Sequence, residues 1–170
     1  NVKFPVSEKK EEMSFMGAYC YYLQSPRYNL DQENTYIAID KLQLFISNYE
    51  NSDRVARASE LILNLNDKLE KKDFEIATSY YYTGNFQSAI YAIDEFINRF
   101  PETQRIHELS FIQIKAYYEL AKNSVEEKKE QRIKEAIFAS DNFLLAFSSS
   151  NYKQEVKAMY QELKEIQNGL

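Results

Sequence analysis

Side chains with catalytic or ligating chemistry are few and scattered along this 170-residue chain. The single histidine, His107, falls in the first turn of an amphipathic segment with no cysteine beside it, and reads as a surface helix residue. The single cysteine, Cys20, lies in the aromatic run AYCYYL and reads as a buried structural thiol rather than a reactive one. One cysteine permits no disulfide within the chain, so the redox compartment is left open. Adjacent carboxylates such as Glu126 and Glu127 sit on a charged run, EEKKEQ, that reads as a solvated helix face rather than an acid-base pair in a pocket. Metal-ligand spacing, a Gly-rich phosphate loop and a nucleophile elbow are all absent. The expectation is a chain with no cofactor and no catalytic activity.

Composition points towards contact surface instead. The chain carries 14 Tyr and 11 Phe but no Trp. Tyrosine suits half-buried positions, with its ring packed and its hydroxyl in water. A net charge of −5 argues against a nucleic-acid backbone as the main ligand. No run reaches the roughly 18 apolar residues that a membrane span needs. No secretory signal is visible, but the chain starts at Asn1 rather than Met, so the expectation is that a leader and more sequence lie upstream.

The elements that position these side chains are helices. In FEIATSYYYTGNFQSAIYAIDEFINRFP, residues 74–101, Ile76, Ala77 and Tyr80 fall on one face of a first helix. Phe86, Ala89, Ile90, Ile93, Phe96, Ile97 and Phe100 fall on one face of a second. Gly84 can take the left-handed conformation that ends a helix, Asn85 is a good N-cap, and Pro101 stops the second helix. The second helix recurs. Ala38-Ile39 is followed by Phe45-Ile46 and Tyr49, Ala89-Ile90 by Phe96-Ile97 and Phe100, and Ala136-Ile137 by Phe143-Leu144 and Phe147. This A-I-x5-F-[IL]-x2-[YF] pattern predicts an all-α, right-handed helical solenoid of tetratricopeptide-like hairpins.

In chain order, residues 1–6 read as an irregular lead-in. A first helix at 7–23 turns Phe15, Met16, Ala18, Tyr19 and Tyr22 inward, with Gly17 kept small for close approach. A loop at 24–30 precedes a helix at 31–48. Residues 53–83 hold no Gly or Pro and predict one long connecting helix, with Ala58, Ile62, Leu65, Leu69, Ile76 and Tyr80 inward and a break near Asn66-Asp67 as the alternative. A fifth helix at 102–122 buries Leu109, Ile112, Ala116, Tyr117 and Leu120. Ser124-x-x-Glu127 reads as a capping box opening a sixth helix that runs to 147. A capping helix follows at 151–167, packed through Val156, Met159, Tyr160, Leu163 and Ile166. The whole is expected to be one domain, 1–170, with repeats at 7–50, 53–101 and 102–147.

Solenoids of this kind bind through the first helices of their hairpins. The register places Thr78, Tyr81 and Tyr82 of one hairpin, and Phe111, Lys115 and Tyr118 of the next, on a groove suited to an extended peptide or a domain edge. The alternative is that Tyr81 and Phe111 simply pack between repeats.

Three features together resemble the BamD family, the outer-membrane lipoproteins of the barrel-assembly machinery. They are the long connector between helices one and two, the break-free 53–83 helix ending in aromatic residues and a Gly, and the segment from Ala89 to Thr103. The resemblance covers residues 13–147. It implies a non-enzymatic scaffold on the periplasmic face of the bacterial outer membrane, tethered by a lipid anchor outside this segment. Its implied partners are the POTRA domains of a BamA-like insertase, other subunits of the machinery and unfolded outer-membrane protein substrates. It also implies that N-terminal repeats and a lipidated cysteine lie outside these residues. Family members place an arginine on the second helix of the 74–101 hairpin to pair with an acid on BamA; the matching residue here is Ala92. Two other readings compete: a tetratricopeptide adaptor or co-chaperone of the carboxylate-clamp type, and a helical accessory domain of a cell-envelope enzyme. The clamp needs Lys and Asn where Phe74, Thr78, Phe111 and Lys115 stand, a poor match.

Overall fold

The computed structural model describes residues 5–169. They form seven helices, with no strand among the described residues: α1 Pro5–Gln24, α2 Glu33–Asn48, α3 Val55–Tyr82, α4 Phe86–Arg99, α5 Ile106–Lys122, α6 Glu126–Ala146 and α7 Lys153–Asn168. The fold is all-α and tetratricopeptide-like. The chain divides into two compact units, one ending at Lys72 and the other beginning at Asp73.

The repeated pattern sets the core of both units in the same way. Ala38, Ala89 and Ala136 are fully buried, as are Phe45, Phe96 and Phe143 to within 3 %. An alanine at this position lets the partner helix approach closely, and the ring seven residues on fills the space that remains. Each ring then meets the aromatic residue four places further, with centroids 5.3 Å apart for Phe45–Tyr49, 4.9 Å for Phe96–Phe100 and 5.1 Å for Phe143–Phe147. That second aromatic residue ends its helix: the N–H groups of Tyr49, Phe100 and Phe147 donate to the carbonyls of Phe45, Phe96 and Phe143.

The repeat extends beyond what sequence showed. Three residues after each terminal aromatic stands Ser52, Thr103 or Ser150, whose N–H donates back to the aromatic carbonyl. Its hydroxyl then accepts the N–H of Arg54, Arg105 or Tyr152 at 3.1, 3.1 and 3.3 Å, a hydroxyl turn that starts the next helix. These starting residues rest on a phenyl ring of the preceding odd-numbered helix. The Arg54 guanidinium lies 5.7 Å from the Phe15 ring, that of Arg105 4.2 Å from Phe74, and the Tyr152 ring stacks on Phe111 at 4.3 Å. Phe15, Phe74 and Phe111 are therefore equivalent. Around two of them the sequences read EMSFM in α1 and ELSFI in α5.

This register corrects several expectations. Helix α5 begins at Ile106, not 102, because Pro101 and the Thr103 turn occupy the intervening residues. In α3 Ala58, Leu65, Leu69 and Ala77 are buried as expected, but the inward face departs from expectation at three other positions. Leu61 is buried where Ile62 was expected, and Phe74, Ala77 and Thr78 are buried while Ile76 and Tyr80 are exposed. Successive helical residues lie about 100° apart, so a one-residue error at a single position moves that side chain from the core to the surface. The helix is unbroken at Asn66-Asp67. In α1, Pro5 already stands inside the helix, so only residues 1–4 of the expected lead-in lie outside the described residues. Met16 and Cys20 are exposed, not buried. With Met13 they match Leu109, Ile112 and Ala116 of α5, which are buried against α3 and α4. The α1 stripe is open.

Of three capping expectations, one holds and two change. Gly84, at φ +78°, ends α3 as expected. The Asn85 N–H donates to Tyr80 O at 2.8 Å and the Gly84 N–H to Tyr81 O at 3.0 Å, the paired bonds of a Schellman ending. Asn85 begins α4, but its amide donates to Thr83 Oγ1 instead of capping. Ser124 makes no capping box, since Val125 holds the N-cap position in an extended conformation. The Ser124 hydroxyl instead bonds the Leu120 carbonyl and accepts from Arg132 at 2.7 Å. Around Gly17 nothing lies within 4 Å of where a Cβ would stand, so no neighbour requires a glycine there.

The connector between α1 and α2 is held by buried polar groups. Gln32, 3 % exposed, donates its amide to the carbonyls of Arg27 at 2.8 Å, Leu30 at 2.9 Å and Tyr28 at 3.3 Å. Its amide oxygen accepts from Thr35, whose hydroxyl also meets Ser25. Lys68 donates to Ser25 Oγ at 2.7 Å, and Lys72 to Leu30 O at 2.6 Å. Burial pushes the Lys68 ammonium below its ordinary range.

α7 closes the second unit. Val156, Met159 and Leu163 take the places that Leu109, Ile112 and Ala116 hold in α5. Where α5 carries Phe111 and Ile114, α7 has exposed Ala158 and Gln161, so its far side offers no ring for a further stack.

The two helix-associated glycines give opposite expectations. Gly84→Ala is expected to cost about 1–2 kcal/mol, the penalty of a Cβ in the left-handed region. Gly17→Ala, in mid-helix and open space, is expected to add roughly 0.5–1 kcal/mol of stability. Urea unfolding of the two variants checks this; equal signs would contradict the backbone assignment.

Candidate partner-binding surface

The six residues expected to line a groove lie in the second unit, on the last turns of α3 and along α5. The structure separates them. Thr78 is buried, and its hydroxyl donates to Phe74 O at 2.8 Å, a bond within its own helix. Phe111 is buried under Tyr152 and packed with Ile114, Phe143 and Val156. Both are packing residues, and neither presents a side chain to an open groove. Tyr81 is half-buried against Phe86 and Tyr82, with ring centroids 5.8 and 5.4 Å away. The Lys115 ammonium lies 5.0 Å from the Tyr81 ring and 5.5 Å from that of Phe111, tying α5 to α3 by cation–π contact. Tyr82, 74 % exposed, is the open member of the set.

Tyr118 is engaged within the chain. Its hydroxyl donates to Glu162 Oε2 at 2.5 Å and accepts from Lys122 Nζ at 2.9 Å, while Lys122 also meets Glu162 Oε1 at 2.8 Å. The three groups latch α5 to α7. The Lys122 bond, then the Tyr118 bond, holds the Glu162 carboxyl below its ordinary value of 4.5. The Glu162 bond, then that of Tyr118, raises the Lys122 ammonium. Burial, then the bond to Glu162, pushes the Tyr118 phenol up.

Sequence reasoning placed Ile76 and Tyr80 in the core, and they prove to be surface. With Asp73, Ala92, Glu95 and Arg99 they line a shallow groove of about 300 Å³ between α3 and α4. Arg99 closes one end through a 2.6 Å bond to Asp73. Ala77 is buried as expected and Thr78 beside it, which leaves Ile76 and Tyr80 facing outward. His107 is exposed at the start of α5, its ring 4.6 Å from that of Phe147. Among the described residues no cluster of histidine, cysteine and carboxylates could hold a metal. The surface offers rings, aliphatic groups and a few charges, which suit recognition of another protein.

Compared with known families, the chain matches the family described as YfiO, outer membrane lipoprotein, over residues 2–131 and again over 74–167. The chain belongs to the YfiO family. This is the BamD family of the sequence resemblance, and the second match begins at Phe74, where one odd-helix ring stands. No curated protein matches the chain. Membership of a lipoprotein family associates the YfiO-family chain with the cell envelope. No helix among the described residues is long and apolar enough to cross a membrane. Half-buried Ala92 lines the α3–α4 groove beside Ile76 and Tyr80.

The latch has a definite pH dependence. The Glu162 carboxyl is depressed on folding, so its contribution is present above the unfolded value near 4.5 and lost as pH falls through the lower folded value. Lys122 is raised, so its contribution persists from neutral pH through the ordinary lysine range and is lost only above it. Glu162→Gln is expected to speed amide exchange in α7 at pH 7 while leaving the Phe96 neighbourhood unchanged. Wild type should show the same loosening of α7 below pH 4.5. Exchange rates in α7 that do not respond to the substitution would remove the latch.

Proposed function

We propose that this protein is a non-enzymatic scaffold of the outer-membrane barrel-assembly machinery. In this reading it docks the POTRA domains of a BamA-like insertase on the periplasmic face of the outer membrane, helping outer-membrane β-barrel proteins to fold and insert. Unfolded barrel substrates and further subunits are its other partners. The observation that carries the reading is the family match over nearly the whole chain; an exposed groove on the 74–101 hairpin, lined by Ile76, Tyr80 and Ala92 together with Asp73, Glu95 and Arg99, supports it.

The docking chemistry differs from that of members with an arginine at the Ala92 position. An alanine cannot make the ion pair, so the groove offers Ile76, Tyr80 and Ala92 as an apolar seat, while exposed Tyr82 lies on the other side of α3. Contacts of this type draw most of their free energy from a few aromatic anchors. The carboxylate-clamp reading has no support at its own positions, since Phe74, Thr78 and Phe111 are buried.

The test is binding of purified POTRA domains from the same organism, read by calorimetry. Tyr80→Ala is expected to weaken binding by about 1–2 kcal/mol, the range of an aromatic contact residue, and Tyr82→Ala to weaken it only if the partner also wraps the other side of α3. Ile76→Asp, which puts a charge in the apolar seat, is expected to weaken it further. Binding unaffected by all three would move the docking surface elsewhere. Failure of the wild type to bind any POTRA domain would end the insertase reading.

A further inference from the structure

The repeat register places a tyrosine at the same point in all three hairpins. Six residues after Phe15, Phe74 and Phe111 stand Tyr21, Tyr80 and Tyr117. Three residues after the buried alanine of each even-numbered helix stand Lys41, Ala92 and Ala139. The two positions face each other in every hairpin. Ala92 and Tyr80 line the α3–α4 groove, and Ala139 and Tyr117 line a groove of about 330 Å³ between α5 and α6. In the first hairpin the Lys41 ammonium lies 5.1 Å from the centre of the Tyr21 ring, within cation–π range. The chain thus shows which group settles on this ring when the facing side chain is long enough to reach it. In the third hairpin the facing side chain is an alanine, too short to cover Tyr117.

Two features set the α5–α6 groove apart from the α3–α4 groove. The first is a negative field. Glu135, where α4 has Ser88, is the one charged residue among those lining it. Asp94 of α4 accepts the Gln113 amide at 2.6 Å, and Glu135 accepts that of Gln131 at 2.9 Å. Both donors are neutral, so both carboxylate charges persist. Arg132 and Lys128 line a separate depression between α4 and α6, which Glu135 also borders, and Arg132 is turned onto the Ser124 hydroxyl. Burial, then Asp94 and Glu135, pushes the Tyr117 phenol up, and no basic group offsets them. The second feature is an open end. The Asp73–Arg99 pair closes the α3–α4 groove, whereas the equivalent residues here, Ser110 and Ala146, cannot pair. The Phe138 ring, 67 % exposed, and half-buried Phe147 give the groove an apolar rim.

We propose that the α5–α6 groove binds a peptide segment of a partner protein through an arginine or lysine seated on the Tyr117 ring beside Glu135, with an apolar residue following towards Phe147. The basic group takes the place that Lys41 holds in the first hairpin. Charge complementarity selects it, because an aromatic face and two uncompensated carboxylates both favour a cation. From Tyr117 to Ser110 the groove follows α5 for about 10 Å at 1.5 Å per residue, the reach of about three extended residues. Asn142 and Ser110 line that stretch and can bond a peptide backbone. A small free cation would leave this length unused, and the open end lets a longer chain continue. The surface is distinct from the α3–α4 seat, so its partner is additional to the one proposed there.

The test uses the whole chain and three short fluorescein-labelled peptides that share a Leu-Phe pair and differ at one nearby residue: arginine, neutral citrulline or glutamate. The arginine peptide is expected to bind about tenfold more tightly than either of the others, with affinity falling as salt rises. Asp94→Asn combined with Glu135→Gln keeps an acceptor for Gln113 and Gln131, and should bring the arginine peptide down to the citrulline level. Ala139→Lys gives the third hairpin the cation that Lys41 supplies in the first, and should occupy the ring and abolish binding. Circular dichroism melting reports whether each variant folds, and the isosteric carboxylate variant decides alone if Ala139→Lys does not. Equal affinity for the arginine and citrulline peptides, or binding that survives the variants, would overturn the proposal. So would sedimentation showing a dimer that Ala139→Lys dissociates, since a second copy would then fill the groove. POTRA binding is unchanged in Ala139→Lys if both readings hold. A chain that binds the arginine peptide but no POTRA domain would end the insertase reading alone.

Discussion

The fold depends on one repeated contact, in which the residue that begins an odd-numbered helix lies on a phenyl ring of the odd-numbered helix before it. Arg54 on Phe15, Arg105 on Phe74 and Tyr152 on Phe111 each fix where a helix starts and how far its axis stands from the last. Each single contact is modest, on the order of 1 kcal/mol. Its effect is positional. The hydroxyl turn at Ser52, Thr103 or Ser150 aims the chain, the ring stops it, and the buried alanine-phenyl face of the even-numbered helix then has one way to pack. Where α7 has Ala158 in place of such a ring, nothing comparable is offered on its far side.

Much of this was legible from the sequence. The A-I-x5-F-[IL]-x2-[YF] spacing identified the even-numbered helices and their buried residues, because alanine and phenylalanine at fixed intervals leave little freedom about which side faces in. The long α3 followed from thirty-odd residues without Gly or Pro. The odd-numbered helices were harder. In SYYYTG three consecutive tyrosines satisfy either of two faces, and only the partner rings decide between them. Ile76 and Tyr80 were accordingly placed inside and are outside. In α1 the run AYCYYL is apolar all round, so periodicity could not say that Cys20 lies on the open side.

The candidate surface was less legible than the fold for the same reason. Thr78 and Phe111 are the right residue types for a groove but sit a hundred degrees from one. Tyr118 looked free because its partner, Glu162, is 44 residues away, a distance across which local spacing carries no information. Polar side chains near helix starts misled in a related way. Asn85 and Ser124 have the chemistry of caps, yet each found a nearer partner, Thr83 for one and Leu120 with Arg132 for the other. Capping rules describe what a side chain can satisfy, and a competing acceptor or donor within reach decides what it does satisfy.

The connector between α1 and α2 bears on the order in which the protein is made. Gln32 gathers its carbonyls locally, but Ser25 and Leu30 also need Lys68 and Lys72, more than forty positions later in the chain. During vectorial synthesis the first helical pair therefore emerges with its own loop unfinished. The pair can collapse through Phe15 and Phe45, but the loop takes its final path only once α3 has been translated well past its midpoint. A chain ending before residue 68 would keep the α1–α2 ring contact but lack both lysine donors to the connector.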